Sequence, residues 1–178
     1  MARKLPRFLT LDEFKAMLKT AKNPRDAMLL KCLFYMGLRN SEAVNLKKDN
    51  VDVINKSVKV VQGKGSKDRI VFIPNDNLAQ ELGEYMKNTT ISALFPLSDR
   101  QIRNIIKTCA RVAGIRAPEE VHPHTLRHSY ATHLVNKGVG IDVVQDMLGH
   151  ERLETTKIYT HMGKEQKRKL IEAAFKDI

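Results

Sequence analysis

A chain of 178 residues is the size of one domain and long enough to bury a core. Its 42% hydrophobic and 29% charged residues read as a soluble globular protein; no run of 18 apolar residues offers a membrane span, and Met1 to Arg7 lacks the apolar stretch of a secretory signal, so a cytoplasmic setting is expected. The formal net charge of +11 calls for a polyanionic partner, while 6% aromatic residues and no Trp fit a grip on duplex backbone better than base stacking on a single strand.

Arg3 to Phe8 reads as a short basic linker holding Pro6. Thr10-Leu11-Asp12-Glu13 is a capping box that predicts a helix start, with Phe14, Met17, Leu18 and Ala21 recurring at helical spacing. Pro24 opens a second helix, apolar through Ala27, Leu29, Leu30, Leu33 and Phe34, and Gly37 ends it. Ser41 to Leu46 predicts a short third helix. The period then changes. Val51, Val53 and Ile54 predict one strand, Val58, Val60 and Val61 a second, and Ile70 to Ile73 a third, with Gly63-Lys64-Gly65-Ser66-Lys67-Asp68 as a hairpin loop between the last two.

Helix returns after Pro74, around Leu78 to Met86. Ser98-Asp99-Arg100-Gln101 is a second capping box, opening a helix through Ile102, Ile105, Ile106, Cys109 and Val112 that Gly114 stops. Pro123 opens a helix carrying His124 and Arg127, which Gly138 ends. Ile141 to Leu148 is a short helix closed by Gly149, Thr155 to Thr160 another helical turn, and Lys164 to Ile178 an amphipathic tail. The expected fold is mostly α with a small three-stranded antiparallel β-sheet. Cys32 and Cys109 sit in apolar helical contexts and read as two reduced core thiols.

Certain polar residues form a set with chemical meaning. Opening a phosphodiester loads charge onto the non-bridging oxygens and needs a nucleophile and a proton for the leaving oxygen. Arginine suits the first task, because its planar fork pairs with two phosphate oxygens and stays charged. Arg39, at a Gly-Leu-Arg junction, and Arg127, in the first turns after Pro123, are the candidates. Histidine can serve as base or phosphate donor near neutral pH, which brings in His124 and His150. A lysine on a glycine-flanked hairpin can reach a scissile step, and Lys64 and Lys67 both qualify, with Arg69 beside them as a further phosphate contact. Tyr159 is a candidate nucleophile; Tyr35, Tyr85 and Tyr130 read as core or helix-face residues. His122, His124, His128 and His133 crowd together and raise the alternative of a zinc site. No acidic or Cys ligand stands at metal spacing and no His-Glu-x-x-His occurs, so no metal and no other cofactor is expected, and His128 and His133 read as structural.

In their order along the chain, Gly37-Leu38-Arg39-Asn40-Ser41-Glu42, Gly63-Lys64-Gly65, His124-Thr125-Leu126-Arg127, Leu148-Gly149-His150 and Thr155-Thr156-Lys157-Ile158-Tyr159-Thr160-His161 closely resemble the motifs of the tyrosine recombinases, nearest to the Xer branch. The resemblance covers nearly the whole chain. It implies the tyrosine recombinase catalytic-domain fold and a site-specific recombinase that needs neither metal nor ATP. Tyr159 would attack the scissile phosphate, leaving a 3′-phosphotyrosine and a free 5′-hydroxyl, and a 5′-hydroxyl from a partner strand would reverse the step. The resemblance selects Lys64 as general acid with Lys67 as the alternative. It makes His124 the general base or a further phosphate ligand, His150 a phosphate donor, and Glu42 a supporting acid that orients an arginine. Lys67 and Arg69 are the expected DNA contacts.

The implied organisation is a basic linker over residues 1–9, a catalytic domain over 10–163, and over 164–178 a C-terminal helix that could exchange between protomers. Family members commonly carry an N-terminal core-binding domain before these motifs, and none is expected within this sequence. Duplex DNA is the expected partner. The chain is expected to be a monomer or weak dimer when free and to join a tetrameric synapse on DNA. Two rival readings share the residues. One is a type IB topoisomerase, against which His124 speaks because those enzymes tend to place Lys there. The other is a non-catalytic DNA-binding regulator on the same scaffold, against which the complete residue set speaks.

Overall fold

The computed structural model describes residues 7–61, 68–149 and 163–176. Local chemistry starts the helices where the capping signals stand. Thr10 Oγ1 accepts from the Glu13 N–H at 3.2 Å and Glu13 Oε2 accepts from the Thr10 N–H at 2.9 Å, opening α1 (Leu11–Leu18). Asn23 caps α2 (Pro24–Tyr35) by accepting from the Asp26 N–H, a cap that precedes the Pro24 start. Ser98 and Gln101 form the reciprocal pair that opens α5 (Asp99–Val112).

The described residues form two compact units. The first runs to Asn45 and resumes over Phe95–Thr132. It holds α1, α2, α3 (Asn40–Val44), α5 and the first part of α6 (Pro123–Asn136). Its core is aromatic at one point: Phe14 stacks on Phe34 with centroids 3.8 Å apart, and Tyr35 meets both edge-on. Thr20 Oγ1 donates to Cys109 O at 3.1 Å, tying the end of α1 to α5. Cys32 and Cys109 are free and buried, as expected; burial pushes both thiols upward in pKa, partly offset at Cys109 by its bond to Thr20.

The second unit spans Leu46–Leu94 and the described residues from His133 onward. Its sheet has the order β1-β2-β3, all antiparallel, from β1 (Val51–Asp52), β2 (Ser57–Val60) and β3 (Arg69–Phe72). The register pairs Val51 with Val58, and Val58 with Val71. α4 (Asp76–Lys87), α7 (Ile141–Leu148) and α8 (Lys164–Ala174) complete it. α8 lays Ile171, Ala174 and Phe175 into this unit's core. The His133 ring stacks on Phe175 with centroids 4.6 Å apart, and its Nε2 lies 2.9 Å from Ala174 O.

Several boundaries differ from the sequence expectation. The third helix covers Asn40–Val44 rather than Ser41 to Leu46, because Glu42 reaches back to the Arg39 N–H and sets the start one residue earlier. Val53 and Ile54 lie outside β1, and Ile54 is 89% exposed. The Asp52 carboxylate accepts from the Asn55 N–H, and Lys56 adopts φ +48°, so the chain turns before a longer strand can pair. Val61 lies past the end of β2 and is exposed, and Val112 is exposed in the last turn of α5. α8 stops at Ala174, short of Ile178. Two 3₁₀ turns, Lys48–Asn50 and Pro118–Glu120, have no counterpart in the apolar pattern. Among the described residues no helix is long and apolar enough to cross a membrane.

Candidate active site

A carboxylate holds two arginines in the first unit. α2 ends at Met36, and Gly37 follows with φ +61°, a left-handed turn that glycine adopts without the strain a Cβ would bring. Two residues later Arg39 stands at the N-cap of α3. Glu42, in the first turn of α3, bends back so that Oε2 accepts from the Arg39 N–H at 2.7 Å. Its Oε1 accepts from Arg39 Nη1 at 3.1 Å. Glu42 is buried, its side chain 6% exposed. A buried carboxylate is tolerated because it is both paired and hydrogen-bonded.

Arg127 comes from the fifth residue of α6, 90 positions along the chain from Gly37. Its Nη1 donates to Gly37 O at 2.5 Å and lies 3.9 Å from Glu42 Oε2. The Arg127 side chain is only 8% exposed, whereas that of Arg39 is 33% exposed. The two guanidiniums carry like charges; the Glu42 carboxylate, hydrogen-bonded to Arg39 and 3.9 Å from Arg127, lowers the cost of bringing both close to it. What results is two permanent cations with one anion behind them, a net positive charge able to receive phosphate oxygens.

His124 is exposed at the second position of α6 and, three residues before Arg127, lies on the same side of that helix. His122 meets it edge-on, with ring centroids 6.0 Å apart. Partial withdrawal from water, then the neighbouring His124 and Lys107, hold the His122 imidazole below its usual pKa. Its Nδ1 lies 3.3 Å from Thr125 Oγ1, which itself donates to Glu120 O. His133 belongs to the second unit and serves packing there, as expected, and the His128 ring contacts Phe8. Among the described residues no three His, Cys, Asp or Glu side chains gather as a metal would need.

The structure thus brings Arg39, Glu42 and Arg127 together, with His124 on the Arg127 helix. Lys64, Lys67, His150 and Tyr159 lie outside the described residues, as does the helical turn expected over Thr155 to Thr160. Arg69 begins β3, half-buried, and its Nε donates to Met147 O at 3.3 Å. The other tyrosines have structural places: Tyr35 and Tyr130 are buried, and Tyr85 Oη donates to Leu94 O at 2.9 Å. Gly37, expected as the stop of α2 and the start of the Gly-Leu-Arg motif, has a third part that its sequence surroundings do not show: its carbonyl accepts from Arg127.

Comparison with known proteins matches residues 7–166 to the phage integrase family. The chain is 40% identical over 185 residues to "Tyrosine recombinase XerA" of Thermococcus kodakarensis, an alignment covering 97% of this chain and 64% of that protein. Among solved structures it is similar to a crystal structure of XerA recombinase, with TM-score 0.74 and 33% identity over 94% of this chain and 65% of that one. It is also similar to XerH site-specific recombinase bound to difH substrate in a pre-cleavage complex, with TM-score 0.70 and 28% identity over 89% of this chain and 51% of that one. The chain spans 59–64% of the length of the curated relatives it matches.

Proposed function

Because the chain belongs to the phage integrase family, we propose that it is the catalytic part of a site-specific tyrosine recombinase that cleaves and rejoins duplex DNA. The observation that supports this reading is that Arg39, bonded to the Glu42 carboxylate, and Arg127, 3.9 Å from it, bring two permanent cations together, as a receptor for phosphate oxygens would require. In the proposed reaction the Tyr159 phenolate attacks the scissile phosphorus. Arg39 and Arg127 carry the charge that develops on the non-bridging oxygens, with His150 as a further donor. His124 takes the phenol proton or binds the phosphate, and Lys64 protonates the departing 5′-oxygen, with Lys67 held as the alternative. A phenol with an ordinary pKa of about 10 needs cationic surroundings to react near neutral pH, and two arginines supply them. The energy of the broken bond stays in the 3′-phosphotyrosine, so rejoining needs no ATP.

The catalytic domain would run over residues 10–163, followed by a C-terminal helix, and residues 1–9 would be a basic linker. Duplex DNA is the proposed partner, in keeping with the XerH site-specific recombinase bound to difH substrate, and Lys67 is proposed to contact its backbone. Strand exchange requires four active sites on two duplexes, so the proposed working state is a tetramer on DNA formed from free monomers or weak dimers, with the C-terminal helix able to exchange. The relatives are named recombinases, which favours this reading over a type IB topoisomerase. The complete residue set favours it over a non-catalytic regulator.

The decisive experiment is a nicked suicide duplex carrying the cognate site, assayed in excess EDTA. The parent is expected to become covalently joined to the 3′ end. Tyr159→Phe is expected to lose the adduct entirely while binding the same duplex with near-parental affinity, because only the nucleophilic oxygen is gone. An adduct in the Phe variant would reject the assignment.

A further inference from the structure

The last turn of α7 collects bonds from two elements remote in sequence. Arg69 Nε, at the start of β3, donates to Met147 O across 78 positions. From α8, Lys167 Nζ donates to Asp146 Oδ2 across 21 positions. This pair is half-buried, with side-chain exposures of 21% for Lys167 and 31% for Asp146. Both charges stand where their own helices disfavour them. Asp146 is near the C-terminal, negative end of α7, and Lys167 is within the first four residues of α8, at its positive end. Helix stability alone would not select either, but their mutual attraction offsets both misplacements. Met147 O, likewise, is one of the terminal carbonyls that a helix leaves without an internal partner, and Arg69 supplies a donor.

Chain connectivity gives this turn its importance. Arg69 follows Lys64 by five residues, Asp146 precedes His150 by four, and Lys167 follows Tyr159 by eight. We propose that the last turn of α7 is an anchoring hub, at which Arg69 and the Asp146–Lys167 pair act as positioning residues for Lys64, His150 and Tyr159 rather than as DNA contacts. This rests on the roles assigned to those three residues under the proposed function. The ion pair joins Asp146 and Lys167, which flank in sequence the stretch holding His150 and Tyr159. Opening it multiplies the conformations from which the phenol must be brought into line, which slows attack without changing the chemistry of any reacting group.

Charge reversal tests the pair, because Asp146→Lys and Lys167→Asp each put the new charge on the favourable end of its helix and leave the helices intact. Each single reversal is expected to slow single-turnover adduct formation at saturating DNA by about ten- to a hundredfold, the scale of a small misplacement. The double reversal should recover most of that rate. Arg69→Ala should slow the adduct similarly while leaving the salt dependence of DNA binding unchanged. A phosphate clamp would instead lose about one unit of the log–log salt slope. The proposal is overturned if the double reversal is no faster than the slower single variant. It is also overturned if Arg69→Ala loses that slope while cleaving at the parental rate. Thermal melting identifies a variant that has simply unfolded, in which case the double reversal, with its pair restored, decides. If the parent itself forms no adduct, the recombinase reading fails, and the Arg69 salt slope still decides between anchor and clamp.

Discussion

Glu42 is the residue common to both arginines: its buried carboxylate accepts two bonds from Arg39 and lies 3.9 Å from Arg127, whose direction is set by its bond to Gly37 O. Arg39→Ala and Arg127→Ala each remove a donor that would be in place before charge develops, and each is expected to slow adduct formation by about two to four orders of magnitude. Glu42→Gln keeps the size of the side chain and an acceptor for the Arg39 N–H. It loses the charge that offsets the two cations, so a smaller slowing, on the order of tenfold, is expected from less exact aim. Measuring all three by single-turnover adduct formation at saturating DNA separates aim from affinity. An unchanged rate in Glu42→Gln would mean that the arginines are held by other contacts. Tyrosine selection also belongs to this scale. Tyr35, Tyr85 and Tyr130 have packing or hydrogen-bonding roles, which agrees with their being read as structural from the sequence.

Among the elements, α8 matters most beyond the arginine site, because it follows the segment that carries Tyr159. It is fastened within the second unit by the Phe175 ring in the core, by Lys56 paired to Glu172, and by His133 at its C-terminal end. Burial first, and then the Lys137 charge, lower the His133 pKa, while the bond to Ala174 O works the other way. The sign follows directly. The unfolded imidazole takes a proton as pH falls through about 6.5, but the folded one resists, so the stability that His133 contributes is present above that value and is lost as pH falls below it. His122, also lowered, adds in the same direction. The melting temperature of the parent is therefore expected to drop between pH 7 and pH 5.5, and the drop should shrink in His133→Gln, which can still donate to Ala174 O but does not titrate. Equal drops in parent and variant would assign the effect elsewhere.

For the molecule as a whole, charge is the quantity that reaches furthest. With a formal net charge of +11, binding to duplex DNA is expected to be driven largely by release of condensed counterions. Affinity should then fall about a hundredfold or more between 50 and 200 mM salt, corresponding to four or more phosphates engaged. A nearly flat salt dependence, measured by titrating a labelled duplex at several salt concentrations, would show that the excess charge lies away from the DNA.

The sequence by itself determined the helix starts at Thr10 and Ser98, the antiparallel three-stranded sheet and the buried thiols. Each of these is written in short-range spacing: a cap and its Glu or Gln three residues on, an alternation of valines, an apolar helical period. Tertiary structure alone decided what those residues do to one another. Arg127 and Gly37 are 90 positions apart, and no local pattern says that the one will be aimed by the carbonyl of the other. The same holds for Arg69, whose sequence surroundings suggest a phosphate contact and give no sign that its Nε donates to Met147 O, 78 positions away. Ile54, apolar and strand-like in sequence, is turned into solvent because Asp52 and Asn55 close a turn before the strand can lengthen. Periodicity reports which side chains prefer to leave water. Which partner receives a guanidinium is a matter of where distant backbone carbonyls come to rest, and that is decided only when the core has packed.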